Sequence, residues 1–491
     1  MDSQWHQRVE QVAREDLVLF INACLACTGQ REFYDDAWGQ KVSIDFLHDY
    51  ILGNYRLLYT RTLAAGINHF NQTQIIVKLL ATGRNTPPEH REEEGALIAA
   101  ALKALPPQRA WAVLEQLRKR RVNNRRSRAI AREYLASRGD RTAFEAVKYR
   151  AKMRAIAVHA HLKLEGELSP FLFRHWQSSF QTELFERFRQ GHYSATAIYH
   201  LPFTVAEGLA TKHNIPRQVF LQRIESRMTA GEKLRLQGSV DRAGGKLQVE
   251  FHRLPLTKLA LYALSLSPTQ RQEQGLHRAL QQAAQSALRK APLSLQKVAA
   301  VLDCSYSSSG SSEKRRRSLG VALAVHYLLQ TAAREYQGFW TIPIPHPVQV
   351  VPRGQTDLAT PLLAALDWQP DLVLIVSDGW ENDPPNGAAE IIRVFRQKID
   401  PNYQISIIHC NPVFNADDFS LKRISLLAPT VGLRDAEDLP IAVGFARFAD
   451  GSAPLSALEH YLAGRVQQML AGVAIDRKEI APEEIALGEP A

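Results

Sequence analysis

Two aspartates, two serines and a threonine sit in three short stretches of the C-terminal part of the chain. Asp303-Cys304-Ser305-Tyr306-Ser307 follows one apolar run. Gly354-Gln355-Thr356-Asp357 precedes a helical pattern. Ser377-Asp378-Gly379 ends the fully apolar run Leu372–Val376. Carboxylate and hydroxyl oxygens, with no nitrogen or sulfur among them, suit a hard divalent cation. Mg²⁺ with several retained waters is the first expectation, and Mn²⁺ and Ca²⁺ are the alternatives. Two carboxylates do not saturate such an ion, so one coordination position is expected to stay open to water or to a carboxylate of an acidic protein ligand.

The elements around these stretches explain how they would meet. Lys297–Leu302, Val348–Val351, Leu372–Val376 and Ile405–His409 read as strands, alternating with helical patterns at Arg317–Ala333, Leu358–Leu366, Ala388–Phe395 and Leu455–Leu470. Apolar strand runs between helices mean a parallel sheet covered on both faces, a doubly wound α/β domain. Ligands of such sheets bind outside the carboxyl ends of the strands, where all three stretches fall. The plainer alternative is strand-end caps and turns in a metal-free α/β domain. The constellation resembles the von Willebrand factor A-type domain and its metal-ion-dependent adhesion site, whose pattern is Asp-x-Ser-x-Ser, then Thr, then Asp. Asp303, Ser305, Ser307, Thr356 and Asp378 fill those positions in order. The resemblance implies that the hydroxyls bind the metal directly and the aspartates directly or through water. Tyr306 and Ser308–Ser312 depart from the family's glycine-rich start.

Residues 1–292 read as helices almost throughout, for example Leu17–Cys27, Phe46–Tyr59, Ala110–Leu117, Phe144–Ala157 and Leu256–Leu266, separated by Gly, Pro and Asn punctuation. Many amphipathic helices with short connections suggest an all-α HEAT-like helical-repeat array; the alternative is an irregular helical domain, since no motif recurs at a fixed period. Lys246–Arg253 alternates like a small hairpin strand. The expected division is a helical region 1–292, the A-type domain 293–472 and an acidic, loose tail 473–491. The two halves are expected to fold separately about a boundary at 290–297.

Charge is segregated in the same way. Residues 1–295 carry a net +16 and residues 296–491 a net −6. The densest basic stretch is Arg118, Lys119, Arg120 and Arg121, followed by Arg125, Arg126 and Arg128 around the turn at Asn123-Asn124. Such a cluster can make several phosphate contacts, each adding a salt-dependent increment by counterion release; a solvated surface is the alternative. Helical array plus C-terminal A-type domain resembles the TROVE architecture of Ro ribonucleoproteins. That resemblance implies a ring of HEAT-like repeats binding small non-coding RNA on its basic outside and single-stranded ends of misfolded RNA through its centre. The RNA residues named here rest on charge alone.

Other features narrow the function class. The composition is ordinarily globular, no run of about 18 apolar residues exists, and Leu17–Cys27 lacks a basic flank, so neither a membrane span nor a signal peptide is expected. Four cysteines do not make a disulfide framework, which fits a reducing, cytoplasmic setting. Cys24-x-x-Cys27 reads as core packing. His159-x-His161 has the wrong spacing to bring two rings together on a helix. Arg315, Arg316 and Arg317 open a helix at its positive dipole end without a stability reason. Trp380-Glu381-Asn382-Asp383 reads as a rim of the metal site or as a turn held by Pro384 and Pro385. No Walker loop, nucleophile elbow or metalloprotease motif is present, so no enzyme is expected. The reading is non-enzymatic RNA binding by the basic helices, with a metal-dependent A-type domain engaging a partner. The alternative is a metal-gated protein-interaction scaffold without RNA binding.

Overall fold

The computed structural model describes residues 2–176, 179–242, 247–451 and 453–478. An all-helical region reaches Lys290, and a parallel sheet flanked by helices follows from Leu295. Local sequence sets the helices. Asn68 caps His69–Ala81 by accepting from the backbone N–H groups of Phe70 and Asn71, and the helix buries Ile75, Ile76, Val77, Leu79 and Leu80. Pro107 opens Pro107–Lys119, which buries Trp111, Val113, Leu114 and Leu117. That helix stops at Arg121, whose φ of 57° is left-handed. Arg121 N–H donates to Arg118 O, and Val122 N–H to Leu117 O, a Schellman closure built without the usual glycine. Asn124 then caps Arg125–Ala136 in a reciprocal box with Ser127. The stretch expected as a hairpin strand has no strand among its described residues, 247–253; Phe251–Arg253 is a 3₁₀ turn, and Lys246 lies outside the described residues.

The sheet is formed by β1 (Leu295–Leu302), β2 (Ala333–Trp340), β3 (Leu372–Val376), β4 (Ser406–Asn411) and β5 (Thr430–Gly432), all parallel, in the order β2-β1-β3-β4-β5. Val298 is in register with Leu372 on one side and Tyr336 on the other. The expected strand at Val348–Val351 is corrected: Pro347–Gln349 is a 3₁₀ turn, because His346 and Pro347 bend the backbone there. The edge position belongs instead to β2. Its residues are half-buried or exposed throughout, so it carries no apolar run to betray it.

Alternation along the strands sorts the core into two faces. Ala299, Val301, Val373, Ile375 and Ile407 face Leu362, Ala365, Ile392 and Phe395 of the helices Ala359–Asp367 and Gly387–Lys398. Val298, Ala300, Leu302, Leu374, Val376 and Cys410 face the other way, into a core continuous with the helical region. The helix Arg317–Ala332 packs on Leu256–Ser265 and Leu276–Lys290. The first helix, Asp2–Ala26, lies on the edge strand β5. There Asn22 Nδ2 donates to Thr430 O at 3.1 Å, and Asn22 Oδ1 accepts from Gly432 N at 3.2 Å. The last helix, Leu455–Lys478, crosses back to Arg56–Arg61, Arg91–Ala104 and the first helix. The change of element type thus falls inside the 290–297 window, while the packing continues across it. The last helix also extends into the segment expected to be loose; residues 479–491 of that segment lie outside the described residues.

Candidate metal centre

The strand order reverses between β1 and β3, one connection leaving β1 for β2 and the rest of the sheet growing from β3. Doubly wound sheets open a crevice at that point. Asp303 leaves β1 there, its N–H still bonded to Val376 O at 3.0 Å, and Asp378 leaves β3 two residues after Val376. The third stretch is sewn to the first by backbone: Tyr306 N–H donates to Gly354 O, and Arg353 N–H to Cys304 O, both at 3.0 Å. Thr356 is held by Asn382, whose side-chain oxygen accepts from Thr356 N–H at 2.8 Å, while Thr356 O accepts from Asn382 N and Asp383 N. The structure therefore gathers the three stretches at one end of the sheet. Asp303, Ser305, Ser307, Thr356 and Asp378 are all buried.

The electrostatics of the pocket are unbalanced. Asp303 Oδ1 accepts from Ser305 N–H at 2.8 Å, and Ser305 Oγ lies 3.3 Å from Ser307 Oγ. Asp303 Oδ2 is buried with no hydrogen-bond partner. Burial first, and the neighbouring Asp378 carboxylate second, push the Asp303 carboxyl well above the usual range; burial raises Asp378 as well. An orphaned carboxylate oxygen beside a second buried carboxylate and three hydroxyls fits a hard divalent cation, which would supply the missing positive charge. Among the described residues no group of three or more His, Cys, Asp and Glu side chains is placed to hold a metal, so hydroxyl ligands are essential to this candidate.

The mouth carries residues that the sequence did not single out. Tyr34 lies on the segment between the first helix and Ala37–Asn54. Its hydroxyl lies beside the Ser307 side chain, and its ring packs on Trp380 with centroids 5.3 Å apart. Lys422 Nζ sits 4.4 Å from the centre of the same Trp380 ring. The Tyr34 segment is fastened at both ends: Ser311 Oγ donates to Arg31 O at 2.7 Å, and Asp35 Oδ2 accepts from Ala416 N–H at 3.1 Å. Nothing local in Phe33-Tyr34-Asp35 signals this role, because its partners come from the other half of the chain. The stretch after Asp378 divides its labour. Trp380 forms the rim, and Asn382 braces Thr356. Glu381 caps two helices by accepting from Leu358 N–H and Ala388 N–H.

The basic cluster is less free than its charge suggests. Arg126 pairs with Glu94 at 2.5 Å, and Arg56 pairs with the same buried carboxylate at 2.9 Å, so Arg126 braces three helices. Arg118 and Lys119 both lie 3.9 Å from Glu115. Arg120, Arg121 and Arg125 are exposed, and Arg128 is half-buried. His159 is tied down, its Nε2 bonded to Val122 O at 3.1 Å, while Asn123 Nδ2 donates to His159 O. Cys24 and Cys27 are buried free thiols, and burial raises both, Cys27 to about 12. Arg316 and Arg317 acquire a stability reason: Arg316 donates to Leu264 O, and Arg317 pairs with Asp435 at 2.6 Å. No protein-family model matches the chain, and no curated protein matches it in sequence. No helix among the described residues is long and apolar enough to cross a membrane.

Proposed function

We propose that this chain is a non-enzymatic binding protein that holds a divalent cation, Mg²⁺ first, at Asp303, Ser305, Ser307, Thr356 and Asp378. Through that ion it engages a carboxylate of an acidic protein partner. The observation that carries the reading is the buried, unpartnered Asp303 Oδ2 beside Asp378 at the switch point of the sheet. The set is similar to the adhesion site of von Willebrand A-type domains. Bound there, the ion supplies positive charge and an open position for an anionic ligand. The two aspartates neutralise it, the three hydroxyls complete the oxygen set, and Asn382 keeps Thr356 in place. Calorimetric titration of the full chain with Mg²⁺ and with Mn²⁺ tests this. The wild type is expected to bind one ion, and Asp303→Ala to bind it at least about tenfold more weakly, the loss of one charged ligand. Equal binding by the two proteins would falsify the assignment.

A second reading adds RNA. It is favoured by the net +16 of residues 1–295 and by the exposure of Arg120, Arg121 and Arg125. In this reading the helices form a HEAT-like array akin to the TROVE architecture, binding small non-coding or misfolded RNA through phosphates. Filter binding of single-stranded RNA should then weaken steeply with salt, by roughly 0.7 in the log–log slope per phosphate neutralised. Changing Arg120, Arg121 and Arg125 together to Gln should flatten that slope. Arg126 is left intact because its loss would unpair Glu94. Absence of RNA binding at low salt leaves the metal-gated protein scaffold as the function.

A further inference from the structure

A second cavity opens at the junction of the helical and α/β parts, apart from the five metal-site residues. It encloses about 440 Å³. The helical part contributes Thr28, Gln30, Phe70, Arg109 and Leu261 to its walls; the α/β part contributes Glu313 through Arg315, Arg317, Pro412 and Arg434. Among the described residues, five of the lining side chains are cations, Arg109, Lys314, Arg315, Arg317 and Arg434, and one is an acid, Glu313.

The cations are only partly answered from within the protein. Lys314 pairs with Glu32. Arg317 and Arg434 share a single carboxylate, Asp435, at 2.6 and 3.3 Å. Glu313 accepts from the Arg31 backbone N–H at 3.0 Å. Among the described residues no carboxylate pairs with Arg109 or Arg315, and both side chains are exposed at the cleft. The positive field reaches neighbours: His69 is held below its usual range, by burial first and then by Arg434 and Arg109. A fold gains no stability from gathering like charges around a hollow, and surface cations ordinarily spread apart.

The walls also say what kind of anion fits. Phe70, Leu261, Pro412 and Ala26 supply an aromatic ring and aliphatic surface. A bare inorganic anion would leave that surface without a partner. Thr28 and Gln30 supply polar groups at the same rim, Thr28 Oγ1 donating to Gln30 Oε1 at 3.2 Å. The volume lies in the range of small-molecule pockets, which combine apolar walls with a few placed polar groups.

We propose that this cleft binds a nucleotide, its phosphate held by Arg109, Arg315 and Arg434 and its base lying against Phe70. Guanidinium groups give paired, charge-assisted hydrogen bonds to phosphate, and an aromatic face accepts any base. The site does not depend on the metal ion or on RNA binding by Arg120, Arg121 and Arg125.

The test is calorimetric titration of the full-length protein at low salt with AMP, UMP, adenosine and inorganic phosphate. AMP and UMP are expected to bind, phosphate more weakly, and adenosine weakest. The double variant Arg109→Gln, Arg315→Gln should weaken AMP binding at least about tenfold, as expected for lost charge-assisted contacts, with an unchanged melting temperature. Phe70→Leu should narrow the gap between AMP and phosphate. The Arg120, Arg121, Arg125 triple variant should bind AMP as the wild type does, which separates this site from the RNA surface. No heat from either nucleotide, equal binding of adenosine and AMP, or AMP binding that survives the Arg109, Arg315 double variant overturns the proposal.

Discussion

Burying two aspartates side by side costs folding free energy unless something positive meets them. Among the described residues no cation pairs with Asp303 or Asp378. Glu145 and His48 are buried on different terms. Glu145 is fully answered, by Trp111 Nε1–H at 2.7 Å and Arg138 at 2.5 Å. His48 is kept neutral, accepting from the Tyr59 hydroxyl at 2.9 Å and donating to Asn71 Oδ1 at 3.0 Å. Burial holds His48, His326 and His409 down to about 4, below their ordinary 6.5. As pH falls through about 6.5 the unfolded chain takes up these protons and the folded chain does not. Stability should therefore be flat above pH 7 with respect to these groups. It should fall between about pH 6.5 and 4 by roughly 1.4 kcal/mol per pH unit for each histidine. Urea midpoints at pH 7.0, 5.5 and 4.5 check this, and His48→Gln should remove one proton from the linkage. The raised carboxyls of Asp303 and Asp378 act in the opposite sense, so the reading is the difference between wild type and His48→Gln at each pH, and a difference that does not change with pH would contradict it.

Element by element, what the sequence disclosed follows burial. β1, β3 and β4 are legible because they are covered on both faces and read as apolar runs. β2 is a half-exposed edge and β5 has only three residues, so neither leaves a periodic trace. The five metal-site positions are legible because residue type and strand-end position coincide. Tyr34 and the role of Asn382 are not, since they depend on long-range contacts. Charge counting likewise could not see Glu94 beneath Arg126. The contact of the first helix with β5 gives an element-scale prediction. A Cβ on Gly432 would lie 2.6 Å from Asn22 O and 3.0 Å from Leu25 Cβ, both anchored in the helix, whereas a Cβ on Gly444 meets nothing within 4 Å. Gly432→Ala is expected to destabilise by about 1–3 kcal/mol by forcing the helix off the strand. Gly444→Ala, inside the helix Leu439–Ala449, should stabilise by about 0.5–1 kcal/mol. Paired denaturant titrations decide it, and equal effects of the two substitutions would refute the contact.

For the whole molecule, one core runs from Leu17 in the first helix to Val466 in the last. The two compositional halves should therefore unfold together. Leu458 and Leu462 are fully buried, and Leu462→Ala should cost about 2–5 kcal/mol. Calorimetry should show a single transition moved bodily to lower temperature. Two transitions of which only one moves would mean that the halves are independent after all. The same closure sets an order of events during synthesis. The helices Arg56–Arg61 and Arg91–Ala104 are made before the sheet, and the helix that covers them, Leu455–Lys478, is made only after it. At roughly 5–20 residues per second, that leaves their apolar faces uncovered for about 20–80 s. Until Leu455–Lys478 is made, a nascent chain of this protein keeps those faces open to water, and premature termination anywhere in the sheet would leave them so.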